Sequence, residues 1–344
     1  MKQPTTEIHR AYCEHCRKET TVQIKSETES IKLEDASYFY TAEFGTCTAC
    51  GHRATPDAFS EKNQQAFEAA VRRKNDHIIS QKSINAIPVM YDIGKRPLSQ
   101  LLGWGEHTYT RFLEGSIPSK EYSDVLHRIF QSPFWYLFTL IKNATLLSSV
   151  AYKKSLRATI RLIEQSCTRL EISAGYLLAK TGVCSPLALQ KELYYAQGFS
   201  FALLPKPLFE NSCQAWIHGP VFTEIWAQFD IKELDVDDSL LKELGGAFGS
   251  MLADDDKELL DAISVHVACY APWVLRNFTH AETPWRNARK GLKENEPSRN
   301  EIRQTDMREF FSGIKEEYSM QSPKDICRYM QAMFLQEQQK CDPA

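Results

Sequence analysis

The sequence predicts a mainly α-helical protein with a small β-rich module at its N-terminus, and three observations carry that expectation. From Ile79 onward, apolar residues recur at three- and four-residue spacing in segment after segment, the period of helices with one buried face. Thr21 to Ile24 and Tyr38 to Phe44 are instead short runs of β-branched and aromatic residues, the composition of strands. Two Cys-x-x-Cys pairs bracket those runs and suggest how so small a β module is held together. At 344 residues the chain exceeds one ordinary core, so two or three domains are expected. A hydrophobic content of 43%, a charged content of 25% and a net charge of −3 describe a soluble globular protein and argue against a wholly basic nucleic-acid coat. The first residues, MKQPTTEIHR, are polar, and the strongly apolar run from Pro133 to Ile141 is too short to span a bilayer. The expectation is a cytoplasmic protein without membrane contact. Six of the ten cysteines are scattered singly, which fits a reducing compartment better than a disulfide framework.

The first module, residues 1–60, holds Cys13-Glu14-His15-Cys16 and Cys47-Thr48-Ala49-Cys50-Gly51. Two such knuckles, 30 residues apart, suit a zinc ribbon, because each tight turn aims two thiolates at one tetrahedral ion. Cys13, Cys16, Cys47 and Cys50 are the expected ligands of a structural zinc that supplies much of the module's folding energy. Four thiolates close the shell, so His15 and His52 read as bystanders.

Residues 61–145 open with a polar helix, Glu61 to about Asn75, carrying Arg72-Arg73-Lys74 on what reads as a solvated face. Leu98 to Trp104 then reads as a short helix ending at Gly103, and Glu106 to Glu114 as a second, stopped by Gly115-Ser116-Ile117-Pro118. Short helix, glycine turn and short helix make the helix-turn-helix arrangement, whose second helix enters the major groove. The segment resembles the lambda-repressor/Xre-like family, with Phe112 where many relatives place Trp or Tyr. Leu98, Leu101, Leu102, Phe112 and Leu113 are expected in the core, and His107, Thr108, Tyr109 and Arg111 facing operator DNA. A helix-turn-helix that has lost DNA binding and serves as a spacer or dimer surface is the alternative. Zinc ribbon followed by helix-turn-helix is also the order found in MqsA-like antitoxins, which this half of the chain resembles. Phe134 to Phe138 is an aromatic cluster without basic interleaving and reads as buried in a domain or dimer interface. Residues 146–170 read as an amphipathic linker helix, with Leu156, Ile160 and Ile163 apolar and Lys153, Lys154, Arg157 and Arg161 charged.

Residues 171–344 form the last expected domain, mostly α-helical. Ser185 and Pro186 are an N-cap and a first helical residue, followed by LQKELYYAQG from Leu189 to Gly198. Pro207-Leu208-Phe209 and Trp216-Ile217-His218-Gly219-Pro220-Val221 follow, and Thr279, His280, Pro284 and Trp285 complete the pattern. Read physically, this is an amphipathic helix, a loop and an aromatic anchor whose indole N–H donates to a backbone carbonyl. The four motifs, in order and at compatible spacing, resemble the Panacea (SocA-like) antitoxin domain. Lys191, Tyr195, Gln197 and His218 are the exposed positions expected to touch a partner. From Asp230 to Glu258, ten acidic residues face three lysines, which reads as a solvated helix pair with a mobile loop. His280 with Glu282 could be an acid–base pair, but no nucleophile accompanies it, so His280 reads as a cap or network residue.

The resemblance implies an antitoxin whose C-terminal domain occludes a cognate protein toxin while the N-terminal half autoregulates an operon, and it leaves a homodimer open. Two other classes stay alongside it: an adaptor delivering a toxin to a protease, as implied for SocA-like relatives, and a transcriptional regulator without a toxin. An enzyme has the least support, since paired carboxylates, a nucleophile elbow and a phosphate-cradling loop are all missing from the sequence.

Overall fold

The computed structural model of the chain describes residues 9–33, 36–74, 78–182, 185–204, 206–229, 237–293 and 295–341. It divides into two compact units: residues 1–89 with 93–131, and residues 90–92 with 132–344.

The first unit begins with an antiparallel meander of β1 (His9–Cys13), β2 (Lys18–Leu33) and β3 (Ala36–Cys47). The two long strands pair from Val22↔Cys47 to Leu33↔Ala36, so both run well beyond the cores expected at 21–24 and 38–44. Along β3, Tyr38, Tyr40, Ala42 and Phe44 are buried while Phe39 and Thr41 face solvent, the two-residue period of a half-covered strand. The cover is α1 (Asp57–Lys74), whose Ala66, Phe67 and Ala70 pack on Tyr40 and Ala42. Asn63 fixes the helix against the strand: its Oδ1 accepts the Glu43 N–H at 2.7 Å and its Nδ2 donates to the Glu43 carbonyl at 2.7 Å. The side chains of Arg72, Arg73 and Lys74 lie outside the described residues.

Four further helices follow in this unit: α2 (Gln81–Met90), α3 (Lys95–Leu101), α4 (Thr108–Leu113) and α5 (Lys120–Gln131). Leu98, Leu101 and Phe112 are buried as expected, whereas Leu102 and Leu113 are only half-buried. Gly103 turns with φ +71°, and Trp104 behind it packs edge-on against Tyr122 at 4.8 Å.

Among the described residues, the regular structure of the second unit is helical except for one small sheet. It begins with α6 (Pro133–Lys142), α7 (Ser149–Ser166) and α8 (Arg169–Thr181), each started by a side-chain cap from Ser132, Ser148 or Thr168. Phe134 packs on Phe229 at 5.0 Å and on Phe248 at 5.5 Å, so the aromatic cluster is part of this unit's core. The amphipathic reading of 146–170 matches α7: Leu156 and Ile163 are buried while Lys153, Lys154, Arg157 and Arg161 are exposed.

The centre of the unit is α9 (Pro186–Leu203), capped by Ser185, whose Oγ accepts the Ala188 N–H at 3.1 Å. Every residue from Ala188 to Ala202 is buried, which corrects the amphipathic expectation. Around it lie α8 and, further along the chain, β4 (Cys213–Trp216), β5 (Gly219–Val221), α10 (Thr223–Gln228), α11 (Asp238–Gly249), α12 (Asp254–His266), α13 (Pro272–Ala281), α14 (Thr283–Ala288), β6 (Glu301–Ile302), α15 (Gln304–Glu317) and α16 (Ile326–Cys341). Of these, α8, α10, α12, α13, α15 and β5 pack directly on α9. The sheet has the order β5-β4-β6, both pairings antiparallel, and places Trp216 opposite Gly219. The acidic stretch is described from Asp237 onward. Asp256 is buried between Arg169 and Lys206, while Asp254 and Asp255 face solvent. Among the described residues no single helix is long and apolar enough to cross a membrane.

Candidate functional site

At the end of the first sheet, the β1–β2 turn and the β3 knuckle bring four thiols together. Cys13 Sγ lies 3.5 Å from Cys50 Sγ and Cys16 Sγ lies 3.9 Å from Cys47 Sγ, and all four atoms are within 4.8 Å of one another. Thiolates about 2.3 Å from a central zinc in a tetrahedron stand about 3.8 Å apart, so this spacing fits a closed four-sulfur site. The knuckle geometry explains the convergence: the Cys47 N–H donates to His52 O at 2.8 Å, and Gly51, at φ +77°, donates back to Cys47 O at 2.9 Å. His15 and His52 stack on each other at 4.0 Å beside the cluster. With Cys50, itself one of the four sulfurs, they form a second possible donor group that overlaps the first.

The residues expected to face DNA divide. His107 and Arg111 are exposed and one helical turn apart on the outer side of α4. Thr108 and Tyr109 are buried, contrary to expectation. The Tyr109 hydroxyl donates to Ile84 O at 2.6 Å and its N–H donates to Ser99 Oγ at 3.1 Å, so its polar atoms tie α4 to α2 and α3. Burial holds the Tyr109 phenol well above its ordinary value.

In the second unit, the four sequence motifs meet around α9, and its polar side chains replace backbone partners for the loops. Gln197 Oε1 accepts the N–H groups of Leu208 at 3.0 Å and Phe209 at 3.2 Å, and its Nε2 donates to Phe209 O at 2.8 Å. Gln190 Oε1 accepts the Phe222 N–H at 2.6 Å. The Tyr195 hydroxyl donates to Glu282 Oε1 at 2.8 Å, and Tyr329 from α16 donates to the same oxygen at 2.7 Å. Burial pushes the Glu282 carboxyl up to about 7 against the pull of these hydroxyls. Glu282 is thus partnered by tyrosines, and His280 instead stacks on Trp285 at 3.8 Å. Trp285 Nε1 donates to Trp216 O at 3.0 Å, and Trp216 Nε1 donates to Gln214 Oε1 at 2.8 Å. The expected indole-to-carbonyl bond is therefore made by Trp285, with Trp216 supplying the carbonyl.

Gly219 links the motifs. At φ +105°, in the region that disfavours a Cβ, it lies against the Lys191 and Thr279 side chains. A Cβ there would stand 2.7 Å from Lys191 Cε and 3.0 Å from Thr279 Oγ1. Helix α9, the β4–β5 turn and α13 are interlocked at this point by residues from three of the four motifs.

Residues 189–286 match the family model described as antitoxin SocA-like, Panacea domain. No curated protein and no solved structure matches the chain. The match thus covers most of the central helix, strands β4 and β5 and the helices up to α14, and the chain continues past it into β6, α15 and α16. Tyr329 and Phe311, which close the tyrosine cluster and pack on α9, come from that continuation.

Lys191, Tyr195 and Gln197 lie inside this domain at 0%, 0% and 1% exposure, which corrects the expectation that they are surface positions. The reason is physical: the helix is covered on all sides, and the polar ends of these three side chains are held by loop backbone and by Glu282. His218, at the tip of the β4–β5 turn, is exposed. Beside that turn Trp226, half-exposed, stands edge-on to Trp216 at 5.7 Å, and no sequence pattern singled it out. Arg289 was also missed. It donates to the carbonyls of Ala215 at 3.1 Å and Glu296 at 2.7 Å and so ties β4 to the chain beyond α14.

Proposed function

We propose that the chain is an antitoxin that binds and neutralises a protein toxin through its Panacea domain. The observation that carries this reading is the family match over residues 189–286, together with the meeting of its motifs around a single buried helix. Neutralisation is by occlusion: a rigid folded surface covers the toxin's working face. With Lys191, Tyr195 and Gln197 interior, the contact surface is centred on the exposed turn, on His218 and the neighbouring Trp226. A half-exposed tryptophan beside a polar tip has the composition of an interface anchor. The partner contact expected at the interior positions is then indirect, through the loops they hold.

The N-terminal unit supplies the regulatory half of the reading. Cys13, Cys16, Cys47 and Cys50 would hold one zinc ion, which neutralises converging thiolates and stabilises the sheet; it performs no chemistry. The short helices α3 and α4 around Gly103 would act as a helix-turn-helix, with His107 and Arg111 reaching DNA and Thr108 and Tyr109 holding α4 in place. Autoregulation of an operon follows from the joining of such a unit to an antitoxin domain.

The test is co-expression of the full chain with the product of the adjacent gene in growing cells. Growth restored by the wild type, and lost with Trp226→Ala together with His218→Ala, is the expected result. A neighbour that is harmless alone, or toxicity that the full chain does not relieve, removes the antitoxin reading.

A further inference from the structure

Around the β4–β5 turn of the second unit, four basic groups gather with no carboxylate paired to them among the described residues. Lys191 reaches up from α9 and is fully buried, and its Nζ makes one hydrogen bond, to Pro220 O at 3.3 Å. Arg276 and His280 are one turn apart on α13, both half-buried, with Thr279 between them against Gly219. His218 precedes Gly219 at the exposed tip. Arg276 makes only a long contact, 3.5 Å from Nη1 to Asn277 Oδ1, and its buried Nε is without a hydrogen-bond partner. The buried Nε2 of His280 has no partner either. Among the described residues none of the four is ion-paired with a carboxylate, whereas Asp256, equally buried in the same unit, holds both Arg169 and Lys206.

Such an arrangement runs against the ordinary rule for buried charge. Lysine and arginine carry donors alone, and burying them near one another without an anion costs both desolvation and repulsion. The repulsion is felt at His280, whose imidazole is held at about 3, first by burial and then by Arg276, Lys191, Arg289 and His218. A negatively charged group placed among these side chains would supply the missing acceptors.

We propose that the seam between the β4–β5 turn and α13 is a binding site for a small oxyanion, a phosphate or a carboxylate. His218 and Arg276 receive it from the outer side, the buried Nε2 of His280 faces it from within, and Lys191 supplies charge from beneath. Gly219 is part of the design, because a Cβ there would stand 2.9 Å from Lys191 Nζ and push the turn off the ammonium. The inference goes beyond toxin binding and does not depend on it: the site is defined by its own charges and takes a small ion in the isolated protein.

The experiment follows the imidazole signals of His218 and His280 by NMR while the full chain is titrated with inorganic phosphate and, separately, with acetate. Ionic strength is held constant with chloride. The expected result is a saturable shift confined to these two rings, with the His280 pKa rising as anion binds. Tighter saturation by phosphate identifies a phosphate site, and tighter saturation by acetate a carboxylate site. Arg276→Gln and Lys191→Met should each weaken binding by about tenfold or more, as loss of a charge-assisted hydrogen bond does. Melting curves establish that each variant is folded, and Lys191→Met alone suffices if Arg276→Gln is not. A non-saturating shift shared with exposed His107 means screening only and overturns the proposal. So does wild-type affinity in a folded variant.

Discussion

Replacing Lys191 by methionine should make the protein more stable, even though this lysine belongs to the motif that marks the domain. The ammonium is fully buried and has one carbonyl partner at 3.3 Å. Burial pulls its pKa down from 10.5 to about 7, with Arg276 adding to the effect and Cys213 opposing it. Each tenfold change in proton affinity is worth about 1.4 kcal/mol, so the depression corresponds to at most about 5 kcal/mol at neutral pH. Allowing for relaxation of the site and for loss of a hydrogen bond worth about 1 kcal/mol, the net gain on removing the amine is about 2 kcal/mol. In a unit of this size that raises Tm by about 4–8 °C. The sign with pH is also fixed. Between about 7 and 10.5 the unfolded chain holds a proton that the folded chain does not, so wild-type stability rises with pH through that window and levels off above it. Lys191→Met should lack this rise. The assay is thermal unfolding of both proteins in chloride buffers from pH 7 to 10. A lower Tm for the variant at pH 7, or a slope equal to that of the wild type, would refute the reasoning.

Other consequences follow from the same packing. An ideal Cβ on Gly198 would stand 2.2 Å from the Phe311 ring, so Gly198→Ala should destabilise the second unit by about 2 kcal/mol despite the better helix propensity of alanine. Adding Phe311→Leu should recover part of that loss, and a double-mutant cycle by denaturant unfolding that shows no coupling would contradict the close approach. Cys47→Ser should abolish stoichiometric metal and unfold the N-terminal sheet, read by metal analysis and circular dichroism; retained metal would mean a different ligand set. Arg111→Ala should weaken operator binding by about tenfold and reduce its salt dependence by about one phosphate contact, as seen in gel shifts over a range of salt. Equal binding by wild type and Arg111→Ala would remove α4 from the interface.

Much of the fold could be read from local signals. Ser185 and Pro186 start α9, and the Cys-x-x-Cys pairs place four sulfurs at metal spacing, because capping and knuckle geometry depend on neighbours in sequence. The turn at Gly103 was legible for the same reason. What sequence spacing could not give is which side of an element is covered by distant parts of the chain. Residues 189–199 carry an apolar stripe, yet α12, α13 and α15 enclose the polar side as well, so Lys191, Tyr195 and Gln197 become interior groups. The same error placed Tyr109 on a DNA face, when its hydroxyl is occupied by Ile84 on another helix. Trp285 took the indole-to-carbonyl bond expected of the Trp216 turn because β6 and α14 approach the hairpin from sequence positions about seventy or more residues away. Burial of polar groups is a tertiary property, and α9 is where it governs the Panacea domain.

The central claim is that this domain binds a protein toxin, and the most direct measurement is a calorimetric titration of the full chain with the purified product of the adjacent gene. A saturable, stoichiometric complex, weakened by about tenfold or more in Trp226→Ala and unaffected by Arg111→Ala, is the expected result. No heat of binding to a folded, toxic neighbour, or a complex equally tight in the Trp226→Ala protein, would contradict the account.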